Sequence, residues 1–321
     1  MAKGLATVYD NLSTLLAAGV PLIRSLKTVS AGLRGRLQQV FLQVTGSLEK
    51  GMPLSDAISS HPKVFAPLDV MIIHAAEESG NLAEALDMLG HWYEFSRRIK
   101  RRVIGGLMLP LLIIHLAAFL PPLPRLILAG WDVEAYFRTV FLTLAVPYIL
   151  AGLIIGIMRF TPQTGIARRA LEGFSLKIPA LGRALYNLAL SRYCRIFYMT
   201  SKAGMPITEC ADLAFNGTGN VVVADLFRAC TASVKAGNPF SEGLSSKLPP
   251  EFIEPWRIGE ETGQLDEISR RLAEKNGEAA EFWFNQFAFW FPRIVYVALL
   301  LIMAAIVIHR FVSLYSGILS I

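Results

Sequence analysis

Two pairs of adjacent glutamates are the residues in this chain whose type and spacing could do acid–base chemistry. Paired carboxylates can act as general acid and general base. Adjacent residues on a helix, however, point about 100° apart, and no nucleophile, histidine or glycine-rich phosphate loop accompanies either pair. The two pairs and the glycines that follow them are Glu77, Glu78, Gly80, Glu260, Glu261 and Gly263. The sequence therefore predicts no catalytic residue, no cofactor and no metal site.

Two other roles are open to these glutamates. In the structural interpretation, one carboxylate of each pair bonds within a helical bundle and the other faces solvent. In the alternative, the acidic turns form an interface with a partner protein. Reversing the charge of Glu77 or Glu260 separates the two, because loss of a structural residue lowers protein abundance. A docking residue would leave abundance unchanged and abolish function.

The glutamates belong to a sequence that is duplicated. A glycine, any residue, a proline and an apolar residue occur in this order four times, and within each copy the glycines are 32 and 33 residues apart (51 minus 19, 237 minus 204). The acidic turn recurs after 183 residues (260 minus 77). The glycines and prolines of the four turns are Gly19, Pro21, Gly51, Pro53, Gly204, Pro206, Gly237 and Pro239. A unit of roughly 100 residues followed by an apolar segment therefore occurs twice.

The spacing of apolar residues predicts helices in both copies. From Val8 onward these residues recur at intervals of three and four, as in Leu12, Leu15 and Leu16, with no alternation typical of strands. Each Gly-x-Pro turn is predicted to separate two helices, because glycine accepts the left-handed conformation and proline suits the first turn of the next helix. We therefore expect each copy to form an antiparallel bundle of short helices.

Three apolar segments predict membrane spans. The 321 residues are 53% hydrophobic and 17% charged, with a mean hydropathy of +0.45, which is too apolar for two ordinary soluble domains. A bilayer core needs about 20 helical residues. The segments at 103–120 and 140–158 are long enough, and 294–308 becomes so if its helix continues to about residue 318.

These segments divide the chain into six parts. The predicted parts are a cytoplasmic helical domain at 1–102, a transmembrane helix at 103–120, an external loop at 121–136, a transmembrane helix at 137–158, a second cytoplasmic helical domain at 159–280, and an aromatic-rich helix, a third transmembrane helix and a short external tail at 281–321.

Clusters of basic residues predict the orientation of the spans. Lysine and arginine collect on the cytoplasmic side of membrane proteins. The cluster before the first span, which we call the basic collar, consists of Arg97, Arg98, Lys100, Arg101 and Arg102. With the basic residues after the second span, it places both copies and the amino terminus in the cytoplasm and the carboxyl terminus outside. No secretory signal is expected. The net charge of +6 is largely explained by these clusters, so no direct nucleic-acid partner is required.

Few polar residues lie near the predicted spans. They include His115, His309 and Arg310, but no Asp or Glu lies within a span to complete a proton relay. For His309 and Arg310 an interfacial anchor is favoured over recognition of a partner. The aromatic run at 282–291 is predicted to form an interfacial belt, with packing against a partner as the alternative. The three cysteines lack metal-ligand spacing and are expected to be reduced thiols.

The ordered set of two Gly-x-Pro turns, an acidic turn, a basic helix end and an apolar span, all repeated, resembles one known family. The chain is similar to the F component of bacterial type II secretion systems and its counterpart, the inner-membrane platform protein of type IV pilus machines. The resemblance covers nearly all of the chain. It implies an all-α membrane protein of the bacterial inner membrane, with two homologous cytoplasmic six-helix bundle domains and three transmembrane helices.

The family implies a non-enzymatic platform that couples a hexameric secretion ATPase to the extraction of pilin or pseudopilin subunits and to filament assembly. Its implied partners are that ATPase, the pilin-like subunits, other inner-membrane assembly proteins, the lipid bilayer and further copies of the chain. A small membrane transporter or a membrane-bound enzyme is the alternative. Solute flux in proteoliposomes would indicate a transporter, whereas co-purification with a hexameric ATPase would indicate the platform.

Overall fold

The computed structural model of the protein describes residues 2–120, 122–123, 126, 131–160 and 166–319. Throughout these ranges the regular secondary structure is helical, and they contain no strand. The prediction of an all-α protein is confirmed.

The first copy contains six helices, and the Gly-x-Pro turns separate two pairs of them. They are α1 (Ala2–Ala17), α2 (Leu22–Ala31), α3 (Gly35–Leu48), α4 (Leu54–Ser59), α5 (Pro67–Ser79) and α6 (Leu82–Phe119). Helix α6 continues without a break from the end of the acidic turn through the basic collar and the first apolar segment.

The second copy has the same order but a more broken middle. Its helices, with the one that precedes them, are α7 (Val133–Phe160), α8 (Ile166–Lys177), α9 (Leu181–Lys202), α10 (Ile207–Gly217), α11 (Val221–Ala224), α12 (Cys230–Lys235), α13 (Pro250–Glu261) and α14 (Leu265–Leu319). Short 3₁₀ helices at Asp225–Phe227 and Phe240–Gly243 stand between α11 and α13. Three consecutive β-branched valines begin α11, and such residues have low helix propensity.

The four Gly-x-Pro turns share one backbone conformation. The glycines have φ values of 80°, 85°, 89° and 80° in chain order, in the left-handed region that glycine occupies without strain. Each proline lies immediately before the first residue of the next helix. The chain therefore turns sharply at each site, and the proline at the start of the following helix supplies no side-chain cap.

The chain divides into two compact units. One combines residues 1–100 with 185–280, and the other combines 101–184 with 281–321. We call them the repeat unit and the apolar unit. Helices α6 and α14 each contribute residues to both. The domain boundaries predicted from the sequence stay predictions.

The core of the repeat unit draws on both copies of the sequence. In the first copy, Leu12, Leu26 and Phe41 are at most 1% exposed. In the second copy an aromatic cluster is buried around Trp256. Burial of these apolar side chains supplies the main favourable free energy of folding.

The apolar unit carries large hydrophobic side chains on its surface. Met108, Phe141, Ile149 and Leu301 are 66–73% exposed. Within the described residues, no helix meets the combined length and hydropathy of a membrane span. The three spans stay predictions. Helix α14 does continue to Leu319, as the third predicted span requires.

Candidate functional site

Glu77 caps the short helix that follows the second Gly-x-Pro turn of the first copy. Its two carboxylate oxygens accept hydrogen bonds from the backbone N–H groups of Leu54, at 2.6 Å, and Ser55, at 3.0 Å. The Ser55 hydroxyl donates a third bond, at 2.6 Å. A helix amino terminus leaves N–H groups without partners and carries partial positive charge. A carboxylate from another helix therefore stabilises this end of α4.

Glu260 makes the same set of contacts in the second copy. Its carboxylate accepts from the backbone N–H groups of Phe240 and Ser241 and from the Ser241 hydroxyl, the last two at 3.0 and 2.8 Å. Phe240 and Ser241 begin the 3₁₀ helix after Pro239. The first glutamate of each acidic turn thus binds the helix start created by the preceding Gly-x-Pro turn. Two motifs that are repeated in the sequence are joined by one repeated contact.

The second glutamate of each pair lies outside this arrangement. Glu78 and Glu261 are exposed, and Glu78 lies 3.6 Å from the exposed His74. The glycines that end the two acidic turns, Gly80 and Gly263, have φ values of 76° and 70°. They let the chain leave α5 and α13 and enter the long helices α6 and α14.

A groove of about 510 Å³ brings the first acidic turn next to a turn of the second copy. One wall is formed by α5, including Met71, His74 and Glu78, and the other by residues 203–206 and Glu209. The Lys202 ammonium lies 3.5 Å from the Glu84 carboxylate. The two copies therefore meet through residues that are predicted turn signals in each.

Asp69 forms a buried polar cluster that the sequence did not single out. The side chain is fully buried, and its Oδ2 accepts from the Tyr93 hydroxyl at 2.6 Å and from the backbone N–H of Ala66 at 3.0 Å. The Tyr9 hydroxyl is also buried and lies outside hydrogen-bond geometry. Burial raises the pKa of Asp69 to about 6, although the bonds from Tyr93 and Ala66 and the nearby Tyr9 hydroxyl oppose the rise.

The sequence is matched by the family model for the type II secretion system (T2SS), protein F, in two stretches, residues 8–129 and 193–315. The stretches lie one in each copy and together cover more than half of the chain. The chain belongs to this family. The resemblance predicted from the repeated motifs is confirmed.

Relatives of this type II secretion protein F family member carry two kinds of name. The chain is 26% identical to the type IV pilus assembly protein PilC of Thermus thermophilus, over 85% of this chain and 72% of the relative. It is 25% identical to the type IV pilus assembly protein TapC of Aeromonas hydrophila, over 84% and 70%. It is 22% identical to the type II secretion system protein F of Pseudomonas aeruginosa, over 87% and 75%.

The basic collar of this family member is only partly covered by the structure. Arg98, Lys100 and Arg101 are exposed and Arg97 is partly exposed, while the side chain of Arg102 lies outside the described residues. Because Ile99 is buried, the collar surrounds one apolar residue that faces the core. Its predicted role in fixing topology stays a prediction.

The histidine of the first apolar segment has a defined partner. The Nδ1 atom of His115 lies 2.7 Å from the carbonyl oxygen of Leu111, and its Nε2 atom lies 3.2 Å from the Tyr148 hydroxyl. These contacts join the first two apolar segments of the family member. The side chains of His309 and Arg310 lie outside the described residues, so their predicted role as anchors stays a prediction.

The three cysteines of the family member are buried thiols. Burial raises the pKa of Cys194, that of Cys210 to about 11 and that of Cys230 to about 12. Thiols with such pKa values are protonated and unreactive near neutral pH. In the described part of the chain, no group of three or more His, Cys, Asp or Glu side chains is arranged to hold a metal ion.

The Asp69 cluster predicts a fall in stability as the pH rises from about 4 to 6. The unfolded chain loses the Asp69 proton near its ordinary pKa of 3.8, whereas the folded chain holds it until about pH 6. Ionisation therefore favours the unfolded state across this window, by about 3 kcal/mol when complete. Asp69→Asn cannot ionise, so its melting temperature should rise relative to the unsubstituted protein between pH 4 and 6.

This pH prediction is tested by thermal unfolding of both proteins in detergent at pH 4, 5, 6 and 7. Asp10→Asn, at an exposed carboxylate, serves as the control and should track the unsubstituted protein at every pH. A constant difference between the Asp69→Asn and unsubstituted proteins from pH 4 to 7 would contradict the raised pKa.

Proposed function

We propose that this chain is the inner-membrane platform of a type II secretion or type IV pilus machine. In this role it transmits the movement of a cytoplasmic hexameric ATPase to pilin or pseudopilin subunits. The observation that carries the proposal is the family match in both copies of the repeat. Relatives named for type IV pilus assembly and for type II secretion support a shared platform role.

A membrane location for the apolar unit is supported by its surface. Large apolar side chains exposed in this way are costly in water and favourable in hydrocarbon. The exposed side chains include Met108, Phe141, Ile149 and Leu301. The Tyr136 hydroxyl, near the start of α7, donates to the Phe119 carbonyl at the end of α6 at 3.0 Å. This contact closes the connection between the first two proposed spans.

Placement of both copies on one side of the membrane is supported by their contacts. The Arg195 guanidinium of the second copy lies 4.5 Å from the centre of the Phe95 ring of the first. A side chain added at Gly277 would meet Phe95 and Ser191 at 3.2 and 3.1 Å, so the helices approach closely there. Together with the basic collar, these contacts favour a cytoplasmic repeat unit.

A route for transmitting movement follows from the two capped helices and the two long ones. Glu77 and Glu260 tie the helix starts after Pro53 and Pro239 to the ends of α5 and α13. Helices α6 and α14 begin directly after those ends, 38 and 55 residues long. We propose that an ATPase bound to the repeat unit displaces these helices as rigid rods and that their apolar parts act on the pilin-like subunits.

The proposal is tested by deleting the gene and supplying it again on a plasmid with an affinity tag. The expected result is loss of pilus or pseudopilus assembly, its return on complementation, and co-purification of the hexameric ATPase and pilin-like subunits with the tagged chain. Normal filament assembly in the deletion strain would exclude the platform role. Solute flux through the purified protein in proteoliposomes, without these partners, would favour the transporter.

A further inference from the structure

A groove of about 680 Å³ in the apolar unit lies between the α8–α9 connection and one face of α14. Its volume falls within the range of small-molecule sites, about 300–1,000 Å³. The end of α8 and the connection contribute Leu176 to Ala180, and the start of α9 contributes Arg183. This groove shares no lining residue with the groove next to the first acidic turn.

The α14 wall is a continuous aromatic face. Trp283, Phe287, Trp290, Phe291 and Ile294 line it, at the three- and four-residue spacing of one helix face. The Phe287 and Phe291 rings stack with centres 5.0 Å apart. Phe282 and Phe289, from the same aromatic run, are not in the groove and are 54% and 52% exposed. The run therefore contains a lining face, an outer face and the buried Phe284.

The opposite wall supplies positive charge. Lys177 ends α8 and is exposed, and the Arg183 guanidinium lies 4.6 Å from the centre of the Trp283 ring. The lining residues that the structure describes include these two cations and no carboxylate. A cation–π interaction with the Trp283 ring therefore holds the Arg183 guanidinium against the aromatic wall.

The shape of the cationic wall is fixed by the backbone. Ala180 has a φ of 62°, a conformation unusual for a residue other than glycine. The Gly182 N–H donates to the Ile178 carbonyl at 2.7 Å, and a Cβ at Gly182 would overlap the Leu176 carbonyl oxygen. The connection is therefore held tightly against the end of α8, and the groove is preformed.

We propose that this groove binds an anionic phospholipid. Lys177 and Arg183 contact the phosphate and headgroup, and the aromatic face of α14 packs against the glycerol and upper acyl chain. Neighbouring positive and aromatic surfaces match an amphiphile with an anionic head, because both parts of the ligand find a complementary wall. A free phosphate would leave the aromatic face unused, and an apolar helix would bring no negative charge to Lys177 and Arg183. The site rests on the membrane location proposed above.

The site is tested on the purified full chain in a neutral detergent, with tryptophan fluorescence as the readout. Brominated phosphatidylglycerol and brominated phosphatidylcholine are compared as quenchers. The anionic lipid should reach half-maximal quenching at about a 25-fold lower mole fraction, since each of the two cations contributes about fivefold. Trp283→Phe with Trp290→Phe should remove most of this quenching.

Charge variants separate this site from general attraction to anionic lipid. Lys177→Gln with Arg183→Gln should abolish the preference, whereas Lys177→Arg with Arg183→Lys should keep it. Lys247→Gln with Arg257→Gln removes two exposed charges from the repeat unit and should leave the preference unchanged. Circular dichroism and gel filtration establish that each variant is folded.

Three outcomes would overturn the proposal. The first is equal quenching by the two lipids, as expected if an apolar helix of another subunit occupies the groove. The second is retention of the preference for the anionic lipid in the folded double Gln variant. The third is displacement of the lipid by inorganic phosphate at millimolar concentration. If the double Gln variant does not fold, the other variants and the phosphate competition still decide. Filament assembly in the deletion strain is a separate readout, so failure of the lipid site and failure of the platform role are distinguishable.

Discussion

Glu77→Ala is expected to destabilise the repeat unit by about 3 kcal/mol. The substitution removes the acceptor for two backbone N–H groups and one hydroxyl at the start of α4. Hydrogen bonds to a charged group contribute about 1.5–3 kcal/mol each, and water replaces part of this loss because the site is only partly buried. The same loss is expected for Glu260→Ala, because the contacts of Glu260 are equivalent.

Thermal unfolding of the purified chain in detergent measures this effect, and the neighbouring glutamates are matched controls. Glu78→Ala and Glu261→Ala remove exposed carboxylates from the same two helices and should change stability by less than about 0.5 kcal/mol. The amounts of the two capping variants in the cell should fall accordingly. If Glu77→Ala keeps normal stability and abundance but blocks filament assembly, the residue is a docking residue and the capping account is wrong.

Trp256→Ala is expected to cost about 4 kcal/mol. The side chain is fully buried, and its ring centre lies 4.9 Å from the centres of both Phe197 and Phe240. Tyr193 and Phe252 complete the cluster. Truncation of a buried aromatic ring leaves a cavity and typically costs 3–5 kcal/mol. Because Phe240 also begins the helix capped by Glu260, the loss reaches the second acidic turn.

The matched control for Trp256→Ala lies two residues along the same helix. Ile258 is 54% exposed, so Ile258→Ala should change stability by less than about 0.5 kcal/mol. Urea or thermal unfolding of the two variants gives the comparison. Equal stabilities would show that the aromatic cluster is not the core of the second copy.

The equivalence of Glu77 and Glu260 could be predicted from the sequence, because both occur at fixed distances from Gly-x-Pro turns. The backbone N–H groups that these two carboxylates bind could not be predicted. The capped N–H groups lie 23 and 20 residues earlier in the chain, and helical periodicity says nothing about contacts between helices. The division of the region between Gly219 and Gly237 into short helices could not be derived from the repeat, because the repeated turns mark only the ends of that region.

The buried cluster around Asp69 is a second feature that could not be predicted from the sequence. The 183-residue offset of the acidic turns aligns Asp69 with Phe252 (252 minus 69), and both are buried. A carboxylate after Pro67 is typical of a helix amino terminus on the surface. Its burial depends on Tyr93, which is 24 residues away. The two copies therefore keep one architecture while their cores use different chemistry, and the duplication alone does not reveal it.

The aromatic run before the third apolar segment was predicted as an interfacial belt, with packing against a partner as the alternative. The structure divides the run into the groove-lining face of α14, an outer face that includes Phe282 and Phe289, and the buried Phe284. The sequence could not make this division, because Lys177 and Arg183 reach the same groove from about 100 residues earlier in the chain.

The location of both copies on the cytoplasmic side is tested most directly by cysteine accessibility in intact cells. The native cysteines are buried, so single cysteines can be introduced without removing them. Ser60→Cys and Ser246→Cys probe exposed positions of the two copies, and Glu134→Cys probes the start of α7.

A membrane-impermeant maleimide should label position 134 in intact cells, and positions 60 and 246 only after the inner membrane is permeabilised. Labelling of position 60 or 246 in intact cells would contradict the central claim, because a cytoplasmic ATPase could not then act on both copies.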